Sequence, residues 1–527
     1  GIGGANYGTS GQVLTSGGGS AAPSWADVPA GGSTYSATAS GAIAANKPVL
    51  IKSDGTLEQL AATNISASTG STATAPVTSG KYSNPYTIQW VSNTRFIVAW
   101  TEWNNNNKIF AAVGNVGGSL GITYGSSTEI FSASVAFVRF HHDASTGAIV
   151  MFYGKDGALN VRGITLSGSN GTTITVNTSD TFNHSHNPTW GEIDGDGNGK
   201  FMITYRRSNG DIYVRGGQIT SAGAVTVWND RGVGSSGSNG KYRVDICYNS
   251  DIDKYCTVYS NTSNKLYARV TTWIYNSAPG DGTEADVQNI SHGSDVRVVY
   301  EAVSKQFVAV MRSSSNNLQY RTFTSDSTDS TKITGNGSGG GNGTVESGVW
   351  LDQGSDMVAN GDGKVYLLGA LNTGSYKTKL YTLSPTGTAG SYAGSTEIST
   401  SITNVQTGDP SEIGIAIDSN DQAGLTVCWG GFANPYPTNV YIDQKAFTLS
   451  NLATTNYLGW SDGAYSNGAT ATVKLDVATT SGLTALSTYY LQGDGSLATT
   501  APAAPVKSVI AGRALSSTKL LIKAAFQ

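Results

Sequence analysis

Seven short stretches decide the fold: SNTRFIVAW (92–100), STGAIVMFY (145–153), GNGKFMITY (197–205), DIDKYCTVY (251–259), VSKQFVAVM (303–311), GDGKVYLLG (361–369) and DQAGLTVCW (421–429). Each is a polar turn followed by an apolar or aromatic run, which reads as a strand. At a near-constant offset each is followed by a third strand: NKIFAAV, GALNVRGI, GDIYVRGG, NKLYARV, NNLQYRTF, TKLYTLS and TNVYIDQKAF. One strand precedes each pair, and a Gly/Ser/Thr loop with a short last strand closes it. Residues 81–454 thus repeat one four-strand grammar, with edges near 81, 131, 183, 234, 291, 348 and 399. Units of about 50–57 residues suit propeller-blade repeats, and seven falls within the usual ~4–8 blades. Phe96, Phe201, Tyr255, Phe307 and Val365 are then expected to fill the space between blades. A β-helix would have shorter rungs, and separate sandwiches would need ~100 residues each.

Outside the repeats, residues 1–33 are Gly/Ser-rich with one Trp, Trp25, and are expected to form an extended attachment segment. TASGAIAANKPVLIKSDGTL (38–57) and TTSGLTALSTYYLQGDGSL (479–497) share Thr-x-Ser-Gly, an apolar strand, Asp-Gly and then Thr/Ser-Leu. Asp-Gly between strands is a hairpin signal. Because the two copies bracket the repeats, residues 34–80 (with a linker) and 455–527 are expected to form one small split β domain. A seven-bladed propeller over 81–454 would be inserted into it, which suits a closed ring whose ends lie together. The fold class is all-β.

Charged residues are 13% of the chain, about half the usual share. The polar surface is therefore made mainly of Ser, Thr, Asn and Gly. A net charge of −4 gives no electrostatic drive for nucleic-acid binding. No apolar run approaches the ~18 residues that span a bilayer, so no membrane insertion is expected. Three Cys exclude a disulfide framework and a Cys-based zinc cluster. The start, Gly1 to Gly8, has no signal-peptide pattern and no initiator Met, as in a processed chain or a piece of a longer one.

Asp194-Gly-Asp196-Gly-Asn198-Gly199 resembles the start of a calcium loop, but Tyr205 stands where the bidentate Glu is needed. It is expected to be the hairpin turn of its repeat. His184 and His186 lack the further ligands that zinc requires, so no metal and no cofactor is expected. Acidic residues sit mostly in turns, no Gly-x-Ser-x-Gly elbow occurs, and Ser419–Gly424 misses the sialidase-propeller turn by one place. No catalytic residue is therefore assigned. Arg162, Arg215, Arg269 and Arg321 recur at one place on four successive third strands. Such an arc suits the acidic groups of a glycan, or else pairing between neighbouring blades. Trp103 beside Asn104–Asn107, Trp190 after Asn187-Pro188, and Tyr436 in Asn-Pro-Tyr-Pro are expected as exposed loop aromatics for sugar contact. Cys247 and Cys256 are expected opposite each other on a hairpin.

GTSGQVLTSGGGSAAPSWADV (8–28) resembles a segment near the start of shaft or fibre regions in bacteriophage structural proteins. SDGAYSNGATATVKL…GLTALSTYYLQGDGSLATT…VIAGRALSSTKLLIK (461–523) resembles a terminal β domain of phage tail-fibre and virion proteins. The resemblance covers roughly a fifth of the chain and carries over no functional residue. It implies a virion protein, a tail fibre or receptor-binding protein located in the tail. Its implied partners are other virion proteins through the N-terminal segment, sister chains in a homotrimer, and a host surface saccharide. The alternatives are a purely structural collar, spacer or capsid decoration, and a polysaccharide depolymerase.

Overall fold

In the computed structural model every assigned regular element is a β-strand. The structure describes residues 12–15, 24–27, 33–52, 54–60, 72–74, 76, 83–92, 94–102, 108–117, 121–132, 135, 137–155, 158–168, 171–183, 188–235, 244–260, 266–282, 285–288, 292–302, 304–313, 317–325, 330, 332–334, 342–346, 355–359, 364–372, 376–384, 391–399, 414–417, 425–431, 441–447, 452, 455–492, 495–501 and 508–523. The chain divides into two compact units. One is Gly1–Ala61 with Leu452–Pro502 and Ser508–Gln527, and the other is Ala62–Asn451 with Ala503–Lys507.

The larger unit is a succession of antiparallel meanders, each ordered in space as in sequence. Sheet I holds Ser83–Ser92, Arg95–Glu102, Lys108–Val116 and Ile122–Tyr124, with Thr128–Phe131 also on Lys108–Val116. Sheet II is Phe137–His142, Ile149–Lys155, Ala158–Ser167 and Thr173–Asn183. Sheet III is Pro188–Gly195, Lys200–Arg207, Asp211–Ile219 and Val225–Ser235. Sheet IV is Val244–Asn249, Lys254–Ser260 and Leu266–Thr272, edged by Gly280–Asp281 and Ala285–Gln288. Sheet V is His292–Glu301, Gln306–Ser313 and Leu318–Ser325, edged by Ile333–Thr334 and Asn342–Glu346. Sheet VI is Ser355–Ala359, Val365–Asn372, Tyr376–Ser384 and Ser391–Ser399. Sheet VII is Gly414–Ile417, Leu425–Gly431 and Tyr441–Phe447, with Thr72–Thr74 as its outer strand.

The first strand of each sheet contacts the first strand of the next, and that of sheet VII contacts that of sheet I. A cycle of radially stacked meanders is a propeller-type arrangement. Thr72–Thr74, which the sequence placed in the linker, pairs with Asp443–Lys445. The segment ahead of sheet I therefore completes the last sheet, which ties the two ends of the cycle by hydrogen bonds.

The core lies between the sheets, where each successive pair from sheets I and II to sheets V and VI shares a buried apolar cluster. Phe96, Phe201, Tyr255, Phe307 and Val365 are all buried. Phe201 packs with Phe137 and Phe152 of sheet II, Phe307 with Cys256 and Val258 of sheet IV, and Val365 with Val308 and Val310 of sheet V. Room for the rings comes from the third strand. Phe201 pairs in register with Gly217, where a Cβ would fall inside the ring, and Phe96 stands in the same relation to Gly114.

The smaller unit contains two five-stranded sheets. The first runs Thr34–Thr38, Thr470–Lys474, Tyr457–Ser461, Pro48–Ile51, Leu57–Gln59 in space. The second runs Val477–Thr479, Lys519–Ile522, Val509–Ala514, Thr488–Leu491, Leu497–Ala498. Strand for strand the two orders are the same. The 52–56 and 492–496 turns close with matching bonds, Lys52 N–H to Thr56 O and Gln492 N–H to Ser496 O, and Gly55 and Gly495 both have positive φ. Gly459 and Gly512 correspond as well: a Cβ on either would strike a carbonyl oxygen of the neighbouring strand, Lys474 O or Leu521 O. One core joins the sheets, with Leu50, Tyr457 and Trp460 against Tyr489, Leu491, Val509 and Leu520. Between its third and fourth strands in chain order the second copy has residues 499–508, and the first has the whole larger unit.

The N-terminal segment, expected to be extended, contains an antiparallel hairpin in which Gln12–Thr15 pairs with Ser24–Asp27 and Leu14 stands opposite Trp25.

Candidate functional site

The first strands of sheets I to VI line a central cavity of about 370 Å³. A sheet edge presents unpaired backbone N–H and C=O groups, and here the neighbouring sheet satisfies them. Asp194 of sheet III accepts the Tyr248 N–H of sheet IV (2.7 Å), and Asp245 of sheet IV accepts the Val298 N–H of sheet V (2.7 Å). Arg297 Nε of sheet V donates to Ser355 O of sheet VI (2.7 Å). Asp143 does the same at the turn, accepting the Gly199 N–H of sheet III. Burial would raise Asp143's carboxyl, but the N–H groups of Gly199 and Thr146 and the Ser145 hydroxyl hold it below its ordinary range.

One level of this lining is charged. Arg139, Glu192, Asp245, Arg297 and Asp356 pair in register with Phe152, Thr204, Val258, Val310 and Leu368, equivalent places on successive second strands. Arg139 Nε donates to Glu192 Oε2 at 2.7 Å, with side chains 11% and 12% exposed, and Arg297 Nη1 lies 3.7 Å from Glu192 Oε1. The Trp190 ring has the guanidinium of Arg139 at 4.5 Å and that of Arg297 at 5.7 Å. Burial, then the Glu192 charge, pushes the Asp245 carboxyl well up, while Arg297 pulls it down. One level along, burial raises Asp194 and nearby His141 opposes the rise. Burial is also the main reason that His142 is pushed down to about 4. Chemically this is a set of carboxylates engaged by guanidinium and amide groups, which fixes neighbouring sheets to one another.

Trp190, expected in an exposed loop, is 8% exposed and lies within strand Pro188–Gly195. Pro188 opens that strand, a place where proline is tolerated, so the Asn-Pro signal marked a strand start and not a loop. Trp103 and Tyr436 lie outside the described residues, as do His184 and His186.

The four arginines share a place in the fold. Arg162, Arg215, Arg269 and Arg321 all stand where pairing between the third and outermost strands is interrupted. The break opens space for a guanidinium. Arg162 lies over Phe131 of sheet I (5.1 Å) and over Tyr153 (5.8 Å). Asp230, the register partner of Arg215, accepts from Tyr205 Oη (2.7 Å) and Arg207 Nη2 (3.0 Å). Arg321 is 5% exposed, and burial lowers its pKa. The Nε–H of all four is buried without an acceptor, though Arg215 and Arg269 have other partners in the protein. Arg162, Arg215 and Arg269 are half-buried, and Arg162 joins sheet II to sheet I.

The 194–199 stretch is the turn between the first two strands of sheet III, where Asp196 Oδ1 accepts the N–H groups of Asn198 and Lys200. Cys247 and Cys256 are register partners with buried free thiols. Sequence reading missed the charged ring, although Arg139, Glu192, Asp245 and Arg297 recur at intervals of 53, 53 and 52 residues. The signal was available, because that spacing is the repeat length.

No known protein family and no curated protein matches the chain. Among solved structures it is similar to the BP39L lectin from Burkholderia pseudomallei, at 10% identity and a TM-score of 0.47, covering 70% of this chain and 99% of the lectin. It is similar to the periplasmic gluconolactonase PpgL of Pseudomonas aeruginosa at 11% identity and a TM-score of 0.43, covering 69% and 97%. It is also similar to the WD40 domain of SCAP from fission yeast at 9% identity and a TM-score of 0.35, covering 72% and 98%. Likenesses this distant carry no argument about what the chain binds or does.

Proposed function

We infer that this chain is a bacteriophage virion protein, of tail-fibre or receptor-binding type, that attaches the particle to a host surface saccharide without covalent chemistry. In this reading the seven sheets are the blades of one closed propeller, inserted into a small split β domain. The observation that carries it is the duplication in the smaller unit. A five-stranded module occurs twice, and one copy bears the whole larger unit where the other bears residues 499–508. That is how a scaffold displays a recognition domain in a loop. The sequence resemblance of residues 8–28 and 461–523 to phage fibre segments supplies the virion context. The carboxylates of the central ring are committed to guanidinium and amide partners, which supports binding over hydrolysis.

Sister-chain contact in a homotrimer is part of the same reading. Leu486, Leu515 and Leu521 are exposed on the smaller unit, and burying such residues between copies would supply association energy. Several propellers per particle would then bind with avidity. Labelled protein applied to a panel of bacterial strains tests the reading, with reducing ends measured in the supernatant. Stable decoration of some strains with no release of sugar is the expected result. Sugar release would make the chain a depolymerase, and decoration of no strain would leave the structural virion role.

A further inference from the structure

We propose that Trp228, Trp273 and Tyr275 form a contact subsite for a neutral pyranose sugar, an inference that rests on the attachment reading above. Trp228 lies on the outer strand of sheet III, and Trp273 follows the third strand of sheet IV. Their ring centroids are 5.0 Å apart in an edge-to-face arrangement, and Tyr275 joins them at 5.3 and 6.4 Å. Gly216 makes the cluster possible, since a Cβ there would press on the Trp273 ring at 3.2 Å and meet Trp228 at 3.7 Å.

The 273–279 loop, which presents Trp273 and Tyr275, is held at both ends. Trp273 Nε1–H donates to Gly217 O (3.0 Å), and Arg231 Nε donates to Pro279 O (3.1 Å). Holding a loop in place before binding removes an ordering cost from the binding step. Tyr275 nevertheless remains 69% exposed. The rim is polar: Lys200 Nζ lies 5.2 Å from the Trp273 ring centre, 3.5 Å from Asp196 and 3.7 Å from the exposed carboxylate of Asp253. Aromatic faces beside fixed donors and acceptors suit the C–H face and the hydroxyls of a pyranose. Lys200 faces two carboxylates, which leaves the rim net negative and disfavours an acidic sugar relative to a neutral one.

The size of the patch also selects the occupant. In the larger unit, Ile274 and Tyr275 are the large apolar side chains exposed among the described residues. Two adjacent side chains fall far short of the ~800 Å² per partner of a stable protein interface. They match one or two sugar rings.

The test uses the full chain on a printed array of bacterial capsular and O-antigen polysaccharides, with near-ultraviolet circular dichroism to confirm folding. Tyr275→Ala and Trp273→Ala are expected to weaken binding about tenfold or more, as expected for hot-spot aromatics, while Trp273→Phe retains most of it. Wild-type binding that survives both alanine substitutions within about twofold would overturn the subsite and leave the attachment reading intact. Wild-type protein that binds no polysaccharide on the array would overturn both.

Discussion

Replacing Glu192 by Leu removes the carboxylate that two guanidiniums share in the central ring. Arg139 donates to it at 2.7 Å and Arg297 stands 3.7 Å away, with all three side chains nearly buried. Breaking a buried pair by removing one partner costs about 3–5 kcal/mol, because a charge is left uncompensated. Two local features reduce the loss. Arg139 keeps the Trp190 ring and Val138 O, and Asp245 is relieved of the Glu192 charge that raises its pKa. The expected destabilisation is therefore about 3 kcal/mol, near the lower bound for a buried pair. Replacing both partners by apolar residues is often nearly neutral, so Arg139→Met with Glu192→Leu should recover at least half the loss. Urea unfolding of the four proteins of this double-mutant cycle, followed by fluorescence and circular dichroism, measures the coupling. A Glu192→Leu protein within about 0.5 kcal/mol of wild type, or strictly additive substitutions, would refute the view that the ring holds the sheets together.

Three further outcomes follow from the same structure. His142, held neutral to about pH 4 by burial and by the His141 and Arg95 charges against the opposing pull of Asp143, has a folded pKa below its unfolded one. Its contribution is complete above about pH 6.5 and lost as pH falls toward 4, roughly 3–4 kcal/mol in all; His142→Gln should flatten that part of the stability–pH curve. Gly217→Val should drive a side chain into the buried Phe201 ring and cost at least about 3 kcal/mol, read as loss of the native urea transition. Cys247 and Cys256, buried and with raised thiol pKa values, should resist thiol reagents in the native protein and react on unfolding, as mass spectrometry of labelled peptides would show.

The sheets were legible because each second strand is a continuous apolar run behind a polar turn, and that signal survives in a single sequence. First strands were harder to read. FVRFHH (137–142), PTWGEIDG (188–195) and VDICYN (244–249) carry charges that look like turn residues. Only the cyclic stacking turns them inward and pairs them. Trp190 was misjudged for the same reason. The Trp228–Trp273 pair was invisible because the two residues sit in different sheets, and only the packing of sheet III on sheet IV joins them. In the smaller unit the repeated hairpins at 38–57 and 479–497 could be read from their Asp-Gly turns. The matching second halves could not, since they share a strand order and the close approaches at Gly459 and Gly512 more than side chains.

Adsorption competition tests the central claim most directly. Purified protein in excess is given to host cells before phage carrying the chain is added. The account predicts that phage adsorption falls in proportion to the protein bound on the cells. Unchanged adsorption by cells exposed to correctly folded protein would contradict it.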